Sequence, residues 1–364
     1  MAEKDNTVAL SFAAIDPYIE RLIESPVERK TSGRWVYWGE KNTYPQYIKG
    51  LCKGVPTLRT VTMGMVDYIC GNAIKAAHGL DGRAAGAFDR RGTQARELVK
   101  KTATSIAQLG GFAWKITLNA NGAVGEIENI PVEYLRTDED GNNFYYSEKW
   151  ADGYARNTLV YPRWIAGTRE PESIMLVKMW GDDLYPEPVF SASVKACETE
   201  RSIDSFHLGN IERGFMGSYL VNFNGGARPT DKERKEIERN FNEKFAGHKN
   251  AGRIMFSWNA NVQNRTTFEK MEVADYGEKY STLSKHCEKQ IFTAFRANPN
   301  LFGVATESNG FNSEEYEQAF RLFNRTMIQP IQQQIIDAFE LVMGEKAVLT
   351  IEPFTLDGAD NTIR

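Results

Sequence analysis

Residues 292–339 limit what this chain can fold into more than any other stretch. Helix-forming sequence up to Arg296 gives way at Ala297-Asn298-Pro299-Asn300, where Asn and Pro disfavour a further helical turn. A loop over 303–312 then leads into Ser313, a good N-cap hydroxyl, and Glu314 and Glu315 suit the positive end of a new helix dipole. Beyond it Tyr316, Phe320, Phe323, Met327, Ile331, Ile335, Phe339 and Val342 recur at spacings of three and four, one apolar stripe along a helix. The stripe runs across Pro330, which removes an internal hydrogen bond and crowds the preceding turn, so a kink is expected there. The expectation is a helix, a short tip, a loop and a long kinked helix with one face to bury.

Other stretches mark out elements by their punctuation. Trp35-Val36-Tyr37-Trp38 reads as a short strand in an irregular arm that contains Pro26 and Pro45. Leu51, Leu58, Val61, Met65, Val66 and Ile69 permit a helix from Tyr47 towards Ile74, closed by Cys70-Gly71-Asn72. A helix over Gln94 to Gln108 stops at Gly110-Gly111. Residues 112–118 and 124–130 flank Asn119-Ala120-Asn121-Gly122, a hairpin with a turn-forming Asn-Gly. A further strand around Phe144-Tyr145-Tyr146 follows the Asp140-Gly141 turn. From Pro188 to Gly214 the texture is helical, and one continuous helix of about twenty-five residues would reach roughly 37 Å. After Pro229-Thr230-Asp231 comes a charged helix in which Ile237, Phe241 and Phe245 form the apolar stripe. A strand follows Arg253.

Charge and cysteine usage exclude several function classes. With 41% hydrophobic and 25% charged residues the chain has an ordinary globular composition, enough for one large or two to three modest domains. A net charge of −4 argues against a broad grip on nucleic acid, which needs clustered Lys and Arg to neutralise phosphates. The start MAEKDNTVALSF lacks the features of a signal peptide, and no run of about eighteen apolar residues appears, so neither classical secretion nor a membrane span is expected. Cys52, Cys70, Cys197 and Cys287 have no paired CxxC spacing, which predicts free thiols and no structural zinc.

No catalytic constellation emerges. No Gly-Lys dipeptide occurs, so a Walker A loop is absent. Asp138, Asp140 and Asn142 alternate like a calcium loop, yet the sixth position is Asn143 rather than Gly and Glu148 falls one residue early, so a hairpin turn is the better reading. His286 and Cys287 are adjacent and would point about 100° apart on a helix. Asp182-Asp183 has no further carboxylates close by, and the scattered His residues suggest no Ser-His-Asp set. The expectation is a non-enzyme with no cofactor and no metal.

The stretch around Asn-Pro-Asn-Leu-Phe-Gly with its flanking helices resembles the portal proteins of tailed bacteriophages. Matching pieces occur in order elsewhere: Asn42-Thr43-Tyr44-Pro45 before a helix and Gly71-Asn72-Ala73-Ile74 after it, the Gly-Gly break and hairpin followed by Ile130-Pro131 and Leu135-Arg136, and DLYPEPVF with the helix behind it. The strand residues SYLVNFNGG and the segment Asn250-Ala251-Gly252-Arg253 are similar to the same family. The resemblance spans most of residues 42–343.

The resemblance implies an α+β portal-type protomer. It divides the chain into an N-terminal arm (1–45), an α/β wing (46–187), a first stem helix (188–214), a small α/β clip (215–276), a second stem helix (277–300), a tunnel loop (301–312), a long kinked helix (313–344) and a short tail or minimal crown (345–364). It implies a closed ring, most often of twelve copies, at one vertex of the phage head. Implied partners are the ring's own copies, the major capsid protein and scaffold, the terminase, neck or adaptor proteins, and double-stranded DNA passing through the channel. The implied location is the virion, with assembly in the bacterial host cytoplasm.

The DNA-facing loop would be Val304, Ala305, Thr306, Glu307, Ser308, Asn309, Gly310, Phe311 and Asn312. Glu307 to Asn309 would lie nearest the DNA, with Val304 and Phe311 as anchors. Small, polar, mildly acidic groups would make weak contacts there, whereas strong Arg contacts would favour staying bound. Lys232, Arg234, Lys235 and Arg239 on the clip helix are either a docking face or, interleaved with Glu233, Glu236 and Glu238, a solvated one. A nucleic-acid-processing enzyme with an unrecognised site and another head–tail adaptor or assembly protein are the alternative readings.

Overall fold

The apolar pattern from Tyr47 to Ile74 permits one helix, and the structure has two. Pro56, with its fixed φ and no N–H, takes the first position of a new helix. Thus α1 covers Tyr44–Gly54 and α2 covers Pro56–Cys70, with Val55 extended between them at φ −107° and ψ 113°. The computed structural model describes residues 24, 26–29, 34–76, 87–151, 154–155, 157–181, 183–212, 219–224, 254–259, 267–270, 277–304, 313–344 and 349–354, together with positions 230, 232, 233, 235, 236 and 239. The chain divides into two units, residues 1–198 with 290–364, and residues 199–289.

In the first unit β1 (Glu28–Arg29) pairs with β2 (Tyr37–Trp38) in the arm. Helix α2 stops at Cys70 with Gly71 as its cap, where the sequence places the end, and Ile74 beyond it lies in β3 (Ala73–Ala76). The third helix, α3 (Ala95–Leu109), is capped by Gly110 in the left-handed region at φ 80°. A Cβ on Gly110 would also stand 1.8 Å from the Glu187 carbonyl oxygen, so glycine is required twice over at this position. Strands β4 (Gly111–Leu118) and β5 (Val124–Ile130) form the expected hairpin, with Ile116 opposite Ile127.

Four short strands follow: β6 (Leu135–Thr137), β7 (Asn143–Tyr146), β8 (Trp150–Ala151) and β9 (Tyr154–Ala155). They are succeeded by β10 (Leu159–Pro162) and β11 (Glu172–Lys178). The sheets run in the orders β11-β4-β5 and β10-β7-β6, all antiparallel.

Helix α4 covers Val194–Glu212. It has 19 residues and is shorter than the sequence suggests, because Pro188 opens a turn instead of a helix. Ser191 donates to the Pro188 carbonyl, Ser193 to that of Phe190, and a 3₁₀ turn over Ser191–Ser193 precedes the helix. In the second unit β12 (Tyr219–Asn224) lies parallel to β13 (Ile254–Asn259) and antiparallel to β14 (Thr267–Lys270). Parallel neighbours need a crossover, and helical positions 232, 233, 235, 236 and 239 fall in the connecting residues. Helix α5 (Gly277–Ala294) follows, and its Tyr280 packs on Phe206 and His207 of α4 at 4.9 and 5.5 Å between ring centres.

The long C-terminal helix consists of α6 (Ser313–Phe323), a π turn (Asn324–Ile328) and α7 (Gln329–Met343). After it β15 (Leu349–Glu352) pairs with β3. The core of the first unit gathers on α7. Phe339 meets Phe88 and Trp114 edge-on at 5.4 and 6.5 Å, and the indole N–H of Trp114 donates to Thr102 Oγ1 at 2.9 Å. Gln332 donates Nε2 to the Ile69 carbonyl at 3.0 Å, satisfying an acceptor that the last turn of α2 leaves without a helical partner. The mixed helices and mostly antiparallel strands make an α+β fold. All four cysteines are free thiols, as the sequence predicts, and the structure buries each of them. Among the described residues no helix is long and apolar enough to cross a membrane.

Candidate functional site

The turn that follows α5 is fixed by local hydrogen bonds. After α5, Arg296 turns the chain with a positive φ of 52°, and Ala297 donates back to the Phe292 carbonyl at 3.0 Å. Asn298 caps the 3₁₀ turn Pro299–Phe302 by accepting the Asn300 N–H on Oδ1 at 3.0 Å, with Pro299 at the turn's first position. Gly303 ends it at φ 74°.

Tyr68 of α2 fastens this turn to the core. Its hydroxyl donates to the Leu301 carbonyl at 2.9 Å. Burial, with Tyr316 next to it, pushes the phenol well above its usual range and keeps that donor protonated. The Tyr68 ring also meets Phe302, Phe320, Phe323 and Phe354 at centroid distances of 5.8, 5.9, 5.7 and 5.5 Å. Phe302 in turn touches Phe292 and Phe323, both at 5.8 Å. Each such pair adds roughly 0.5–1.5 kcal/mol beyond the burial of its area. One aromatic cluster therefore clamps the segment entering the loop and the helix leaving it.

The long helix faces this cluster with the expected stripe. Phe320, Phe323, Met327, Ile331, Ile335, Phe339 and Val342 are all buried. From Tyr316 to Val342 the stripe makes seven turns in 26 residues. That is about 3.7 residues per turn, more than the 3.6 of a straight α-helix. The π turn takes up the excess: Gln329 donates to the Asn324 carbonyl five residues back, and the apolar face stays in register on both sides. Pro330 sits at the start of α7 directly after this turn. Leu322, with a relative exposure of 65%, points away from the core.

Val304 is half-buried, and its N–H donates to the Pro299 carbonyl at 3.2 Å. Ala305, Thr306, Glu307, Ser308, Asn309, Gly310, Phe311 and Asn312 lie outside the described residues. Lys232, Lys235 and Arg239 are exposed, and Arg234 is outside the description. Thr230 and Glu233 form a reciprocal cap at the start of that helix, Thr230 N–H donating to Glu233 at 2.8 Å and Glu233 N–H to Thr230 Oγ1 at 3.4 Å.

The Asp138 segment is a turn. Its carboxylate accepts the Asn142 and Asn143 N–H groups at 2.8 and 3.2 Å and the Asn143 amide at 2.7 Å. Among the described residues no three His, Cys, Asp or Glu side chains are grouped to hold a metal.

A second buried anchor ties Asn42 to β6 and the turn before it. Arg136 is fully buried and donates to the carbonyls of Glu133, Leu135 and Asn42 at 3.1, 2.6 and 2.6 Å, and to the Asn42 side chain. Its guanidinium lies 5.7 Å from the Trp38 ring and 4.9 Å from Trp150. Burial pulls its pKa down to about 10, still charged near neutrality.

Solved structures resemble this chain in fold. A chain from the neck of an empty gene transfer agent particle, determined with six-fold symmetry, matches with a TM-score of 0.53 at 17% identity, covering 88% of this chain and 87% of the other. A chain from the neck of the native particle, determined with twelve-fold symmetry, matches with a TM-score of 0.52 at 15% identity over 86% and 85%. A phage portal protein of the HK97 family from Corynebacterium diphtheriae matches with a TM-score of 0.50 at 9% identity over 84% of this chain and 95% of that one. The chain has a portal-like fold. No protein-family model and no curated relative matches the sequence. The likeness is therefore carried by the order and packing of the elements, and at these identities it concerns the portal-like fold alone.

Proposed function

We propose that this chain is the subunit of a closed portal ring at one capsid vertex of a tailed phage or phage-like particle. In this reading residues 46–187 form the wing, α4 and α5 line the stem, residues 215–276 form the clip, and the π-turned helix is the tunnel helix. The ring conducts double-stranded DNA during packaging and ejection, and docks the terminase and later the neck proteins. It performs no catalysis itself.

The observation that carries the reading is the match over more than four-fifths of the chain to both the neck chains and the portal protein. The clamped tip adds a mechanical reason. A loop that borders moving DNA has to keep its position while making weak contacts, and one aromatic cluster holds both its ends. Residues 304–312 would face the channel, with Glu307 to Asn309 innermost and no strong cation to stall the DNA. Exposed Leu208 and Leu283 on the stem helices, and Leu322 and Leu341 on the tunnel helix, supply apolar surface for neighbouring copies. A heterologous interface whose rotation closes produces a ring.

Native mass spectrometry of the purified full chain, with negative-stain images of the same sample, tests this. About a dozen copies around a central hole is the expected result. A monomer or dimer that persists in the presence of scaffold protein would refute it.

A further inference from the structure

Residues 26–28, together with Gly181 and residues 183–187, line an open cavity of 530 Å³ within the first unit. This lies in the range of small-ligand sites, roughly 300–1,000 Å³. Val27, Leu184 and Pro186 supply apolar walls. The floor is Trp38, stacked flat on Tyr185 at 4.6 Å and 4°.

Three carboxylates, Glu28, Asp183 and Glu187, line the same cavity. Among the described residues none of the three has an ion-pair partner. Lys178, the cation nearby, donates its Nζ to the backbone carbonyl of Asp183 instead. Glu28 accepts the Tyr185 N–H at 2.8 Å, and burial still pushes its carboxyl above the usual range, the charge of Asp183 adding to the effect and that of Lys178 opposing it. Among the described residues the lining is therefore short of positive charge, with three carboxylates and no Lys or Arg.

A metal ion does not fit this shortage, because the three carboxylates are not grouped to hold one. A larger organic cation with an apolar stem does. Lys and Arg lay their methylene chains along apolar walls while the charged head stays in water, and the lining residues Asp183 and Glu187 are themselves exposed, able to meet such a head. We propose that this cavity is a docking site for an arginine or lysine side chain presented by another protein.

The test uses the full chain and the probe N-acetyl-arginine amide, with its neutral isostere N-acetyl-citrulline amide as control, followed by tryptophan fluorescence and by amide chemical shifts. Saturable binding of the arginine probe, at least tenfold tighter than the citrulline probe, is the expected result. The double variant Asp183→Asn, Glu187→Gln, altered only at exposed carboxylates, should bind it about tenfold more weakly, since charge-assisted hydrogen bonds are lost. Equal affinity for the two probes, no saturation, or an unchanged double variant would overturn the proposal. Probe affinity that falls as protein concentration rises would also overturn it, since the occupant would then be a second copy of this chain. None of these outcomes depends on ring formation.

Discussion

The ring of Phe302 fills the space that a side chain on Gly64 would need: a Cβ on Gly64 would stand 2.5 Å from Phe302 Cδ1 and 2.7 Å from Cε1. A glycine inside a helix costs about 1 kcal/mol relative to alanine, and here that cost admits the residue that seats the tip.

The pair can be separated by a double-mutant cycle. Gly64→Ala should destabilise the chain by about 1 kcal/mol, because the strain of overpacking exceeds the gain in helix propensity. In a Phe302→Ala background the same change should stabilise it by about 1 kcal/mol. Chemical denaturation of the four proteins reads the reversal of sign, and an equal effect in both backgrounds would show that the contact does not matter.

The π turn behaves as a one-residue insertion in a long α-helix. Deleting Thr326 would bring the stripe from Tyr316 to Val342 to about 3.6 residues per turn without turning either half away from the core. The melting temperature should stay within about 4 °C of the parent, a shift of roughly 1 kcal/mol. Deleting Gln334 from α7 instead rotates the remainder of that helix by about 100° and should prevent folding or lower the transition far more. Similar outcomes for the two deletions would contradict this view of the π turn.

Arg136 holds the arm by hydrogen bonds to carbonyls, so its replacement is expected to free the arm rather than unpair a carboxylate. Arg136→Met should cost about 2–4 kcal/mol and expose residues 34–42 to limited proteolysis. Arg136→Lys should recover little of this, because an ammonium lacks the planar fork that reaches several acceptors at once. Urea midpoints with proteolysis followed by mass spectrometry check both variants.

The turn at Asp138 gives a pH signature. Burial raises the carboxyl, but the hydrogen bonds from Asn143, Asn142 and Gly141 together outweigh it and leave the pKa below its ordinary value of 3.8. A carboxyl lowered in the native state stabilises above its unfolded value, and the contribution is lost as the pH falls through the native one. Asp138→Ala should therefore cost about 1 kcal/mol at pH 7. The gap between parent and variant should close as the pH drops below 3.8. Denaturant midpoints across that range decide it; a gap that stays constant would rule out the carboxylate as the source.

Local chemistry made much of this fold legible. Gly110 stops α3, Asn119 to Gly122 turn the β4–β5 hairpin, and the stripe from Phe320 to Val342 is buried because spacing and turn residues state these things directly. Pro56 misled, since the apolar pattern runs through it and the break depends on one missing N–H. Long-range pairings left no periodic signal. Tyr68 and Leu301 are far apart in sequence, as are Arg136 and Asn42, and their hydrogen bonds exist only once the core has formed. Gly64 was the available clue to the tip, an interior helical glycine whose purpose becomes visible when Phe302 arrives above it.

Where residues 304–312 sit in the assembled ring decides the portal reading. Because the four native thiols are buried, Ser308→Cys offers a thiol that a gold-cluster maleimide can label selectively. Negative-stain class averages of labelled rings should show the added density in the central hole. Density on the outer rim, or well-labelled protein that forms no rings with scaffold present, would contradict the portal reading of this chain.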